Sequence, residues 1–236
     1  MKCSCNNLAY CLNFLMICAI HTIDNYSKYT YSLPPSSLSK ILNQRERSYL
    51  MLITLYFLSA FTLFFAAYFI FRKFVRRDYY RKGRLTPIST FFEILIFSLF
   101  GASAYIFVPS DWPVVHVPPI PMTIGWIFIT IGLAIMFVAM GGLGLRRSFG
   151  QEVIVLKQGG LYRVTRNPQI LGGGLALIGL IVLWPSWYVL GWVIQYVIIT
   201  HIMVLTEEEH LNAIHGKDYV QYCRRVPRYL GIPRKS

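Results

Sequence analysis

Uncharged apolar runs, separated by short and mostly basic segments, set the pattern of this chain. Residues 49–71 carry no charge, residues 88–108 carry only Glu93, and residues 122–145 again carry none. The stretch Gln169–Thr206 then runs for 38 residues without Asp, Glu, Lys or Arg. A helix crossing a bilayer takes about 20 residues, so the first three runs predict one span each and the fourth predicts two. Trp184-Pro185-Ser186-Trp187 marks the middle of the fourth run. Proline breaks a helix there, and tryptophan favours a membrane interface. The expected element is a helical hairpin, whose two ends return to the same side. Arg163, Arg166, Asn167 and Pro168 at its entrance should therefore meet Glu207, Glu208 and Glu209 at its exit. The predicted fold is all-α: an integral membrane bundle of about five transmembrane helices, with a C-terminal helical hairpin and a cytosolic C-terminal helix.

Composition supports this reading and removes others. Charged residues make up 14% of the chain, against about 25% in soluble domains. The net charge of +13 sits just beyond the apolar runs, which is how membrane proteins set their orientation. No nucleic-acid motif accompanies it. Between Arg72 and Arg84 seven basic residues face one acidic residue, Asp78, and that loop is assigned to the cytosol. Together with residues 145–168 and 206–236 it outweighs the basic residues of the first 48, so the C-terminus is expected inside. Residues 1–48 are read as a poorly ordered or signal-like extension, with a short apolar run from Leu8 to Ile20 and a linker from Ser32 to Ser39. Residues 49–236 are read as the membrane domain. Four of five cysteines (Cys3, Cys5, Cys11, Cys18) crowd the first 18 positions without metal-ligand spacing, so neither a metal site nor a disulfide framework is expected.

Several polar and glycine positions within the runs invite a reading of their own. Glu93 lies about one turn inside its span, where it is expected to reach water or a basic neighbour. Gly141-Gly142-Leu143-Gly144 lacks the preceding strand of a dinucleotide site, and is expected to permit close helix packing. Gly172-Gly173-Gly174 fits either close approach of a cofactor or helix packing. Three glutamates at a helix C-terminus face the negative end of its dipole, so cationic partners are expected, Arg163 and Arg166 among them. A solvated acidic patch is the plainer alternative. His201 is read as packed or hydrogen-bonded within its helix.

The ordered set Gly160, Tyr162, Arg166, Pro168, then Glu207-Glu208-x-x-Leu211, then Gly216, Tyr219, Tyr222 and Val226-Pro227 resembles the isoprenylcysteine carboxyl methyltransferase family and its phospholipid methyltransferase relatives. The resemblance covers roughly residues 120–230. Asn167 stands where the carboxyl methyltransferases have histidine, and Ile170 where they have tyrosine; the phospholipid enzymes share the Asn-Pro pair.

The resemblance implies a methyltransferase that binds S-adenosylmethionine at the cytosolic face and takes a lipophilic acceptor, prenylated or phospholipid, from the bilayer of a plasma membrane or endoplasmic reticulum. It implies Arg166, Asn167 and Glu208 as catalytic residues. Tyr162, Arg166, Asn167, Pro168, Glu207, Glu208, Leu211, Tyr219 and Tyr222 are the implied cofactor-binding set. Glu207 and Glu208 would pair with the cofactor's cationic groups and Arg166 with its carboxylate, while Leu211 packs beneath. No nucleic acid and no obligatory protein partner is implied. Acceptor chemistry stays open between a carboxyl, an amine and a thiol. A sterol-reductase-like protein and a non-catalytic protein on the same scaffold are the remaining alternatives.

Overall fold

The structure is a computed structural model that describes residues 35–107, 119–144 and 156–233. Expectations for the Leu8–Ile20 run, the four N-terminal cysteines, Asp111, His116, Arg146, Arg147 and most of Ser148–Gly160 lie outside those residues. The chain divides into two units, 1–55 and 56–236, and the second holds every contact discussed below.

Regular structure among the described residues is helical. Helix α1 spans Pro35–Phe69, a π-helical turn follows over Ile70–Val75, and α2 covers Arg76–Lys82. Then come α3 (Pro87–Phe107), α4 (Pro119–Leu143), a 3₁₀ turn (Gly160–Arg163), α5 (Pro168–Leu183) and α6 (Trp187–Arg225). Among the described residues, four helices are long and apolar enough to cross a membrane. Large apolar side chains such as Phe61, Phe91, Phe137 and Val197 stand exposed along them, as lipid-facing positions do. The integral membrane bundle is therefore present. Its fifth member is short: α5 has 16 residues, roughly 24 Å of helix. Residues 35–39, read as linker, are instead helical; proline at the first turn of a helix costs no internal hydrogen bond.

The hairpin turns where the sequence places its break. Helix α5 ends at Leu183, and Ser186 caps α6 by accepting a hydrogen bond from the Val189 N–H at 3.3 Å. Proline ends one helix and the serine oxygen starts the next.

Helices α4 and α5 pack through glycines seven residues apart on each. A Cβ on Gly132 would lie 2.5 Å from the Gly172 oxygen, and one on Gly179 would lie 2.6 Å from the Gly125 oxygen. Two helical turns separate each pair, so both glycines share a face and the backbones approach closely. Here the expectation for residues 141–144 is corrected. Gly141, Gly142 and Gly144 have open space around them among the described residues, at the C-terminal end of α4 and just beyond it. Gly172 serves packing, and Gly173 abuts the Tyr196 ring, whose hydroxyl donates to the Ile170 carbonyl at 3.1 Å. That bond joins the two arms of the hairpin.

Helix α6 anchors the rest. The Trp192 ring stacks on Phe100 with centroids 4.7 Å apart, and its N–H donates to Ser103 Oγ at 3.1 Å. Gln195 donates to the Ala60 carbonyl at 3.2 Å. Around this frame Phe71, Val75, Ile96, Ile199 and Val204 form the buried core. The π turn carries Phe71 and Val75 into this core, while Arg72 and, just beyond the turn, Arg76 reach Glu209 on α6.

Candidate active site

The two ends of the hairpin meet. Glu208 on α6 accepts from Arg166 Nη1 at 2.9 Å and, two-pronged, from Arg228 Nε at 3.0 Å and Nη2 at 2.6 Å. The Glu208 and Arg166 side chains are 13% and 12% exposed, so one largely shielded carboxylate joins two guanidiniums. That bond raises the Arg228 guanidinium above its ordinary value. Arg166 also donates to the Tyr219 hydroxyl at 3.2 Å and contacts Cys223 Sγ.

Backbone straps hold this arrangement. The Arg166 N–H donates to the Pro227 carbonyl at 3.0 Å. The Arg228 carbonyl accepts from Thr165 Oγ1 at 3.2 Å and from Asn167 Nδ2 at 3.0 Å. Gly216 makes the geometry reachable. Its φ of 48° kinks α6, a backbone state that glycine enters without penalty, and nothing lies within 4 Å of a Cβ placed there. Beyond the kink, Tyr222 donates to the Tyr162 carbonyl at 2.7 Å, and Leu211 packs on the Tyr219, Tyr222 and Val226 cluster.

The expected site residues therefore divide. Arg166, Glu208 and Tyr219 line a cleft of about 480 Å³ together with Arg228 and Cys223. Asn167, Pro168 and Tyr222 are buried beside it, as framework. Tyr162 donates its hydroxyl to Gln169 Oε1 at 2.8 Å. Burial, helped by the Glu207 charge, pushes that hydroxyl up to about 12, so it stays a donor at neutral pH. Glu209 turns away to Arg72 at 2.7 Å and Arg76 at 3.0 Å. Arg163 is exposed and pairs with none of the three glutamates. The cations that answer them are Arg166, Arg228, Arg72 and Arg76, because successive glutamates on a helix point about 100° apart. His201 is hydrogen-bonded to the Tyr229 hydroxyl at 3.0 Å, and burial raises that hydroxyl.

Glu93 departs from its expectation. It is 6% exposed, and its Oε2 has no hydrogen-bond partner among the described residues, so no basic neighbour among them answers that oxygen. Sequence reasoning also missed Arg228 and Cys223. The Val226-Pro227 pair that precedes Arg228 was the available signal.

Fold and site together define a helical membrane protein with a two-signed polar cleft where a hairpin's ends converge. Residues 120–218 match the family model of phospholipid methyltransferase, which is consistent with the resemblance of the chain's motifs to the membrane methyltransferases. No curated protein and no solved structure matches the chain.

Proposed function

We propose that this protein is an S-adenosylmethionine-dependent methyltransferase acting on a lipophilic acceptor, laid out like the isoprenylcysteine carboxyl methyltransferases, with its cleft on the cytosolic face. The observation that carries the reading is the Arg166–Glu208–Arg228 bridge across the hairpin's ends. Arg166 and Glu208 belong to the motif that carries the resemblance, and Arg228 follows its Val226-Pro227 end.

The residues fit the cofactor. A buried Nε of Arg166 has no partner, and two guanidiniums share a single carboxylate, leaving positive charge for a ligand carboxylate. The cleft volume of about 480 Å³ falls within the range of small-molecule sites. When bound, the cofactor supplies an electrophilic methyl group on a sulfonium. Arg166 and Arg228 hold its carboxylate, Glu208 fixes both arginines, and Tyr219 closes one wall. Glu208 already pairs with both arginines, while Glu207, beside it on α6, makes no ion pair or hydrogen bond among the described residues and does not line the cleft. Positioning donor and acceptor in line supplies much of the rate. Asn167 acts through the Arg228 carbonyl it holds.

A second reading, methylation of a phospholipid amine, is favoured by Asn167-Pro168, where the carboxyl enzymes carry His-Pro, and by the family matched over residues 120–218. Membrane lipids are the natural surroundings of either acceptor. The test is binding of radiolabelled S-adenosylmethionine to protein in detergent, with Arg166→Ala and Glu208→Ala as controls. Loss in both is expected, and affinity retained in both would sink the cofactor site. Label transferred to a membrane extract then separates the readings: base hydrolyses a methyl ester and leaves a methylated amine.

A further inference from the structure

Four cations gather where the first span ends. Arg72 and Lys73 lie in the π turn, and Arg76 and Arg77 follow at the start of α2. Residues four apart on a helix are neighbours, and like charges there repel, so Arg72–Arg76 and Lys73–Arg77 are both unfavourable pairs. With Tyr80 these side chains line an open groove of about 580 Å³. The Arg76 guanidinium lies over the Tyr80 ring, 5.4 Å from its centroid. One carboxylate answers the group: Glu209 takes Arg72 at 2.7 Å and Arg76 at 3.0 Å. Lys73 and Arg77 are exposed and form no ion pair among the described residues. Asp78, next in sequence, is held by Thr86, Ser89 and Lys82. Four cations against one carboxylate leave a surplus of three positive charges. Control of orientation explains basic residues after a span, but not their convergence on one groove.

We propose that this groove binds the headgroup phosphate of an anionic phospholipid from the surrounding bilayer, held as a bound lipid and not as a substrate for methyl transfer. Depth favours a lipid over a dissolved anion. Residues 49–71 are uncharged and the cations begin at Arg72, so the groove opens where an apolar span gives way to headgroups. Phe69 and Phe74 stand exposed on the same turns, their rings edge to face at 5.5 Å, and offer acyl chains an apolar surface. Tyr80 is exposed too, an aromatic of the kind that favours membrane interfaces. Lys73 and Arg77 donate to the phosphate oxygens, while Arg72 and Arg76 add charge and keep Glu209. Glu209 also lines the cleft, so it forms the wall between groove and cleft. The inference does not depend on the methyltransferase reading.

The test uses full-length protein in detergent and native mass spectrometry. The probes are phosphatidylglycerol, which has no amine to methylate, and phosphatidylcholine with the same acyl chains. Each cation at a membrane surface is worth about fivefold in affinity for anionic lipid. A surplus of three should therefore give wild type a preference for phosphatidylglycerol of about 100-fold. Lys73→Gln combined with Arg77→Gln should cut that preference about 25-fold, while Lys73→Arg combined with Arg77→Lys should keep it. Melting curves confirm folding; if the first pair unfolds the protein, Lys73→Gln alone should cut the preference about fivefold. Arg81→Gln combined with Arg84→Gln removes the same charge from outside the groove and should change the preference clearly less. Excess inorganic phosphate should not displace the lipid. Equal binding of the two lipids by wild type, or an equal loss in the Arg81 and Arg84 control, reduces the groove to general surface charge and overturns the proposal. Displacement by inorganic phosphate overturns the lipid as its occupant.

Discussion

Arg166 Nη1 and Glu208 Oε1 lie 2.9 Å apart across 42 positions of sequence, and the Trp184-Pro185-Ser186 turn is what makes them neighbours. Glu208 serves Arg228 as well, so the two sides of the bridge are not equivalent. Removing Arg166 leaves a carboxylate still paired. Removing Glu208 leaves the shielded Arg166 guanidinium unanswered beside the half-exposed Arg228. Glu208→Ala should therefore lower stability by about 1–3 kcal/mol, solvent screening at Arg228 reducing the cost of a fully buried pair, and Arg166→Ala by clearly less. Thermal unfolding in detergent reads the difference, and equal losses would contradict the shared-carboxylate arrangement.

Asn167 donates to the Arg228 carbonyl from a position 7% exposed. That carbonyl keeps a second donor, Thr165. Asn167→Ala should cost about 1 kcal/mol and weaken cofactor binding modestly by loosening Arg228. A complete loss of binding, with folding intact, would show instead that Asn167 itself touches the cofactor.

The α4–α5 contact allows almost nothing larger than hydrogen at its glycines. In Gly132→Ala or Gly172→Ala the new carbon meets backbone atoms of the facing helix at 2.5–2.6 Å, which rotamer changes cannot relieve. Each should destabilise by about 1–3 kcal/mol. Gly141→Ala and Gly142→Ala meet open space and should be neutral, or stabilising by up to about 1 kcal/mol through helix propensity. Melting temperatures of the four variants give the comparison.

Cys223 is a free, half-buried thiol on the wall of the cleft. In a variant with Cys3, Cys5, Cys11 and Cys18 replaced by serine, a maleimide should label Cys223 slowly. Saturating S-adenosylmethionine should slow labelling about tenfold, since ligand-free protein is then rare. Labelling indifferent to the cofactor would place the cofactor elsewhere.

The apolar runs were enough to place the bundle, because a bilayer demands long uncharged helices whatever their neighbours. Spans read at 88–108 and 122–145 fall within a few residues of α3 and α4. The convergence of Arg166 with the Glu207–Glu209 run was legible for a local reason: a proline between two tryptophans turns the chain back. Which glutamate meets which arginine was not legible. Three consecutive helical positions point in three directions, and only the packing of α6 against the π turn, α3 and the C-terminal strap decides that Glu209 takes Arg72, Glu208 takes Arg166 and Arg228, and Glu207 takes none.

By itself, then, the sequence determined an all-helical membrane protein with a hairpin that unites two polar clusters, since hydropathy and helix breaking act over short range. Tertiary structure alone decided the working glycine pairs, the capture of Arg228 by Glu208 and the isolation of Glu93. Each of these depends on which faces of distant helices meet, and no local pattern encodes that.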